Sequence, residues 1–200
     1  MNDMKIECTK IETPKNFVKE WLDYSKSHDD ESFFAFMSLF MAFNHLYAKK
    51  QFRQIGEKLV NRGSGAAIKD CVEDILTKIL EKDPAFTIEP LFGELNNPVY
   101  EGERYMYPDD KEVAKEDGKI VELIEKERCA CGRRKLILKV QIVMLRVFQV
   151  RNNLFHGGKY PTFSRNIKLV HDSAVVMKKL LETYIELGFG DDPRDWGHGL

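Results

Sequence analysis

Apolar residues along this chain recur at the three- and four-residue spacing of amphipathic helices, and no stretch alternates as a half-buried strand would. Thr13-Pro14 opens the first helix, with threonine as cap and proline at the first helical position. Phe17, Val18, Trp21, Leu22 and Tyr24 then carry an apolar face to about Ser27. Residues 32–52 are apolar nearly all round, with Phe33, Phe34, Phe36, Phe40, Phe43 and Tyr47 among them, which predicts a central helix packed on several sides. Gly63-Ser64-Gly65 breaks the chain as a hinge. Helical spacing resumes over 66–82 through Ile68, Val72, Ile75, Leu76, Ile79 and Leu80, until Asp83-Pro84 stops it. Periodicity is lost over 85–118 amid Pro90, Gly93, Pro98, Gly102 and Pro108, so this stretch reads as a long loop insertion. Its aromatics, among them Phe86, Phe92 and Tyr105, suit stacking on nucleobases or, the commoner use, anchoring the loop to the core. A short helix is predicted at 120–128, then an interruption at Cys129-Ala130-Cys131-Gly132. The longest helix follows at 133–156, closed by Gly157-Gly158, and a last amphipathic helix covers 164–187. The prediction is a single all-α domain over 1–187, a helical bundle with an insertion at about 85–118, followed by a flexible tail at 188–200.

Composition bounds what such a bundle can do. A chain of 200 residues with 43% hydrophobic content can bury one core and cannot form a large multidomain machine. No run of eighteen apolar residues occurs, and Met1-Asn2-Asp3-Met4-Lys5 does not lead into an apolar stretch. No membrane span and no secretory leader is therefore expected, and the protein reads as cytoplasmic. Cys8, Cys71, Cys129 and Cys131 are too few for a disulfide scaffold. Cys129-x-Cys131 lacks both the usual zinc spacing and a second ligand pair, so no metal and no cofactor are expected. No phosphate-loop, dinucleotide or nucleophile-elbow motif is present.

Net charge, −1 overall, hides a sharp division. Residues 128–168 hold ten Lys or Arg and no Asp or Glu, while the rest of the chain holds 21 basic and 32 acidic residues. That asymmetry fits a footprint for a polyanion; the alternative is a basic segment pairing with acidic helices of its own domain or of a partner subunit. On a helical projection Lys135, Lys139, Arg146, Gln149, Asn153 and His156 share one polar stripe, with Asn152 beside His156. Arg151 falls about 160° from Lys135, inside an apolar face of Leu136, Val140, Met144, Val147, Leu154 and Phe155. A cation there must curl toward His156, meet a partner group, lie at a subunit interface or pair with a carboxylate in the core.

The string Arg151-Asn152-Asn153-Leu154-Phe155-His156-Gly157 resembles the Arg-polar-x-x-x-His motif of HEPN ribonucleases. Phe40-Met41-Ala42-Phe43-Asn44-His45-Leu46-Tyr47 is similar to the aromatic second-helix segment of prokaryotic HEPN proteins of the ApeA-like kind. The resemblance implies a HEPN-like bundle that forms a homodimer with a composite active site and cleaves RNA without a metal. Arg151 and His156 would be catalytic and Asn152 would support them; Arg146, Lys159, Lys139 and Asn153 would bind RNA. A toxin or defence role, with an inhibitory protein partner, belongs to the same expectation. So does the alternative of a non-catalytic module that binds RNA or docks on a partner. Chemically, a near-neutral imidazole moves the proton of the 2′-hydroxyl or of the leaving oxygen. A permanent planar cation meets the charge that builds on phosphorus. Independently of the resemblance, Asn44 in the apolar second helix must be hydrogen-bonded, either to the motif helix or to a neighbouring backbone group.

Overall fold

The computed structural model describes residues 14–27, 32–48, 50–55, 58–96, 115, 118–124, 132–155 and 164–189. Within them the chain is almost entirely helical: α1 (Pro14–Ser27), α2 (Ser32–Ala48), α3 (Ser64–Lys82), α4 (Gly132–Phe155) and α5 (Ser164–Glu186), with a helical stretch at 118–124. The all-α class follows. No helix among the described residues is long and apolar enough to cross a membrane.

Local chemistry explains most boundaries. Gly63 adopts φ 75°, a left-handed conformation that costs glycine little, and α3 starts at the next residue. At its other end Asp83 N–H still reaches the Ile79 carbonyl, and the Asp83 carboxylate accepts from Ala85 N–H, turning the chain before it can continue as helix. Beyond α5 the Gly188 and Phe189 amides fold back onto the Ile185 and Tyr184 carbonyls. Phe189 stacks on Tyr184 at 5.4 Å and lies under the Lys82 ammonium. The first two residues of the expected flexible tail are thus docked; residues 190–200 lie outside the described residues.

Two expectations need correction. The second helix stops at Ala48 rather than at Phe52, and an antiparallel hairpin follows: β1 (Phe52–Ile55) pairs with β2 (Lys58–Asn61), Phe52 opposite Asn61. Strands of four residues are too short for alternation to stand out from noise, which is why the sequence pattern predicts no strand. The insertion is not simply a loop, either. Residues 85–96 form two 3₁₀ turns, Glu89–Leu91 and Gly93–Asn96, and Phe86, Ile88, Phe92 and Leu95 are all buried in the core; residues 97–114 and 116–117 lie outside the described residues.

α1 and α2 pack as neighbours, α2 lies against α5, and α3 lies against α4. α4 is the axis of the domain. From Leu136 to Val150 every residue except Lys139 is buried. α3 covers one side, the 3₁₀ turns a second, and α2 a third through Phe40 and Tyr47, whose rings lie 6.3 and 6.2 Å from Phe148.

Candidate functional site

The stripe of polar residues on α4 is where the structure departs furthest from the sequence. Arg146, expected to hold RNA on an open surface, is buried, and its Nη1 donates to the carbonyls of Leu95 and Asn96 at 2.8 and 2.6 Å. The 3₁₀ segment lies over the stripe, and Arg146 satisfies the backbone acceptors that the turns leave open. Lys139, at the rim, pairs with Glu89 of the same segment. Gln149 is buried and donates to Asn153 Oδ1 at 3.1 Å, so Asn153 faces its own helix neighbour. Gln149 Oε1 has no hydrogen-bond partner among the described residues. Lys159 and His156 lie outside the described residues.

Other members of the basic segment are also engaged at home. Arg133 donates to the Leu80 carbonyl near the end of α3, and Arg134 pairs with Glu73 at 2.8 Å. Lys168 pairs with Glu94 at 3.0 Å, a contact that holds its ammonium charged to higher pH than usual. Among the described residues, five of these cations therefore meet a carboxylate or a backbone carbonyl of this domain, three of them (Arg134, Lys139 and Lys168) a carboxylate.

Arg151 differs from these five. It is half-buried near the end of α4, and it forms no ion pair among the described residues. Its guanidinium carbon lies 4.4 Å from the centroid of Phe155 and 5.5 Å from that of Phe40. Nη1 donates to Asn152 Oδ1 at 3.0 Å. Nε is buried with no acceptor among the described residues. The apolar face that made this position improbable for a cation thus supplies one aromatic ring, Phe155, and α2 supplies a second, Phe40, and the negative faces of both attract the guanidinium. The Asn152 oxygen, expected beside His156, is directed at Arg151, and Asn152 itself is buried. Phe155, by contrast, is 53% exposed.

Neighbouring groups on α2 complete the surroundings. Tyr47 is buried, and desolvation pushes its hydroxyl well above the ordinary range for a phenol, although the positive charge of Arg151 pulls the other way. Asn44 is half-buried, on the same side of α2 as Phe40 and Tyr47, and makes no side-chain hydrogen bond to α4 among the described residues. The contact expected of Asn44 is made instead by Phe40. His45 stacks on Phe17 at 4.3 Å and so faces α1.

A small cavity of about 20 Å³ lies elsewhere, walled by Leu46, Lys50, Cys71, Asp74, Lys78 and Tyr184, among others, with no contribution from α4. Lys50 and Asp74 form an ion pair at its edge. Cys71 is sealed, and burial pushes its thiol far above the ordinary value. The chemistry-bearing residues of α4 do not line this cavity. Among the described residues no cluster of His, Cys, Asp or Glu is grouped for a metal; Cys8, Cys129 and Cys131 lie outside them.

Phe40 and Phe155 as the clamp on Arg151 are not foreseen by the sequence pattern, although the spacing 151 to 155 carries the signal for one of them, since residues four apart on a helix are stacked neighbours. No protein-family model, no curated protein and no solved structure matches this chain.

Proposed function

We propose that this protein is a metal-independent endoribonuclease of the HEPN type, acting as a homodimer whose two Arg151–His156 pairs build one composite site. A single observation carries it: Arg151 keeps its charge near the end of the central helix without a carboxylate among the described residues, held by two rings and one amide oxygen. Such a cation attracts a phosphate more strongly than an ion-paired one does, because no fixed anion must first be displaced. In this reading Arg151 stabilises the charge developing on phosphorus, His156 moves the proton of the 2′-hydroxyl or of the leaving oxygen, and Asn152 orients the guanidinium. Lys139 and Lys159 would steer the RNA backbone; Arg146, sealed beneath the 3₁₀ segment, would have only a structural role. A toxin or defence function in the cytoplasm, held off by an inhibitory partner, remains part of the proposal.

The test is incubation of the purified protein with structured and unstructured RNA in EDTA, beside Arg151→Ala and His156→Ala. The parent is expected to yield products with a 2′,3′-cyclic phosphate and a 5′-hydroxyl, and each variant to lose on the order of 100-fold or more in rate. Cleavage that survives in both variants, or a parent that cuts nothing, overturns the enzymatic assignment.

A second reading has its own support. Among the described residues, five cations of the basic segment are engaged by carboxylates or backbone carbonyls of the domain, and α2 exposes Phe33, Phe34 and Met41. Both features suit a module that docks on a partner without cutting RNA. Binding of RNA or self-association without cleavage would favour it.

A further inference from the structure

Phe155 presents a physical question of its own. It is the last residue of α4 and, at 53%, the most exposed large hydrophobic side chain among the described residues. Leaving half of a phenyl ring in water forgoes hydrophobic stabilisation that a turn of chain could have supplied. The Arg151 guanidinium lies against it at 4.4 Å, and no second ring stacks on it among the described residues. A permanent cation and an open aromatic surface thus stand side by side at one helix end.

A single-stranded nucleotide offers the complementary pair: a phosphate for the cation and, a few bonds away, a planar base for the ring. Among polyanions this distinguishes nucleic acid from inorganic polyphosphate or a lipid surface, neither of which has a base to stack. We propose that Phe155 is a base-binding residue, taking the nucleobase next to the phosphate that Arg151 contacts, and that this site therefore requires an unpaired nucleotide. In a duplex the base faces are stacked on their neighbours and are not available to the ring. The inference rests on RNA being the ligand of the Arg151 site and adds to it the preference for single strands and the residue that imposes it.

The two ideas can fail separately if binding is measured on RNA that cannot be cut. A short single-stranded 2′-O-methyl oligoribonucleotide lacks the attacking hydroxyl, and an abasic strand with the same number of phosphates serves as its control. With Phe155→Trp, the base-bearing strand is expected to quench the fluorescence added at position 155. The abasic strand should not, and Trp21 and Trp196 in the parent provide the reference signal. Phe155→Ala should weaken binding of the base-bearing strand by roughly 5- to 100-fold and that of the abasic strand by less than about 3-fold. Because Phe155 is exposed, both variants should melt within a few degrees of the parent, and Phe155→Leu controls for loss of bulk. Two outcomes would overturn the proposal. One is an equal loss for both strands; the other is an indole signal in Phe155→Trp that answers to protein concentration and not to oligonucleotide, which would show that Phe155 meets a second copy of the chain. Strand discrimination without any cleavage of unmodified RNA would leave the proposal standing while ending the enzymatic one.

Discussion

Arg151 shows how a cation can be kept in an apolar face without a carboxylate. A half-buried guanidinium costs desolvation, and the rings of Phe40 and Phe155 with the Asn152 amide return only part of it, since a cation–π contact is worth about 0.5–2 kcal/mol. Arg151→Met, which keeps the apolar stem and discards the charge, is therefore expected to leave the melting temperature unchanged or raised while abolishing RNA cleavage. A fall of more than a few degrees would mean that the arginine is there for stability. Arg151→Lys should not restore activity, because a point charge lacks the planar fork that stacks between rings and grips a phosphate. Two other buried side chains set the alkaline limit. The folded chain holds the Cys71 thiol and the Tyr47 hydroxyl protonated well above their ordinary values of 9.0 and 10.0. The unfolded chain gives up those protons first, so it binds fewer protons than the folded chain there and stability declines as pH rises. The contribution is complete below pH 9 and then falls, through the thiol first and the phenol a unit later, by about 1.4 kcal/mol per pH unit for each group. A series of melting curves from neutral to alkaline pH should show the decline of Cys71→Ala beginning about one unit later than that of the parent. Identical onsets would exclude Cys71 as the cause.

At the scale of elements, the segment around the two 3₁₀ turns is the part most easily mistaken for a disposable insertion. It is fixed by three kinds of contact. Ile88, Phe92 and Leu95 are buried; Lys139 and Lys168 hold Glu89 and Glu94; and Arg146 donates to the carbonyls of Leu95 and Asn96. Asp172 of α5 accepts from Glu94 N–H at 2.8 Å, and Gly93, at φ 49°, allows that approach, since any β-carbon there would collide with the Asp172 carboxylate. Gly93→Ala is accordingly expected to destabilise by roughly 1–3 kcal/mol in urea unfolding. Arg146→Met, which leaves the buried Leu95 carbonyl and the Asn96 carbonyl without their donor, should cost about 1–3 kcal/mol, and an effect below about 0.5 kcal/mol would show that the segment does not depend on it. The start of α1 and both ends of α3 were legible because glycine, proline and Asx residues act locally, whereas the stop of α2 at Ala48, which has no such signal, was not. The hairpin over Phe52–Asn61 was not, because each strand is stabilised by the other and by little of its own.

For the whole molecule, the distribution of charge is the quantity that the fold changes most. If all ten cations of the basic segment met phosphate, the logarithm of affinity for single-stranded RNA would fall with the logarithm of salt at a slope near −7 per chain. With five engaged inside the domain the slope should be no steeper than about −3.5. A salt titration that gives a slope beyond about −5 would show that those internal contacts open when RNA binds.

The sequence by itself determined the order of the helices, the central place of α2 in the core, and the presence of an arginine where apolar neighbours are the rule. These are consequences of periodicity and of local backbone chemistry. Only the tertiary structure decided what each face meets. Arg146 is satisfied by a carbonyl 51 positions away, and Arg151 by a ring on another helix. A helical projection says which side chains share a face, but whether that face ends in water or under another segment depends on contacts between residues far apart in the chain.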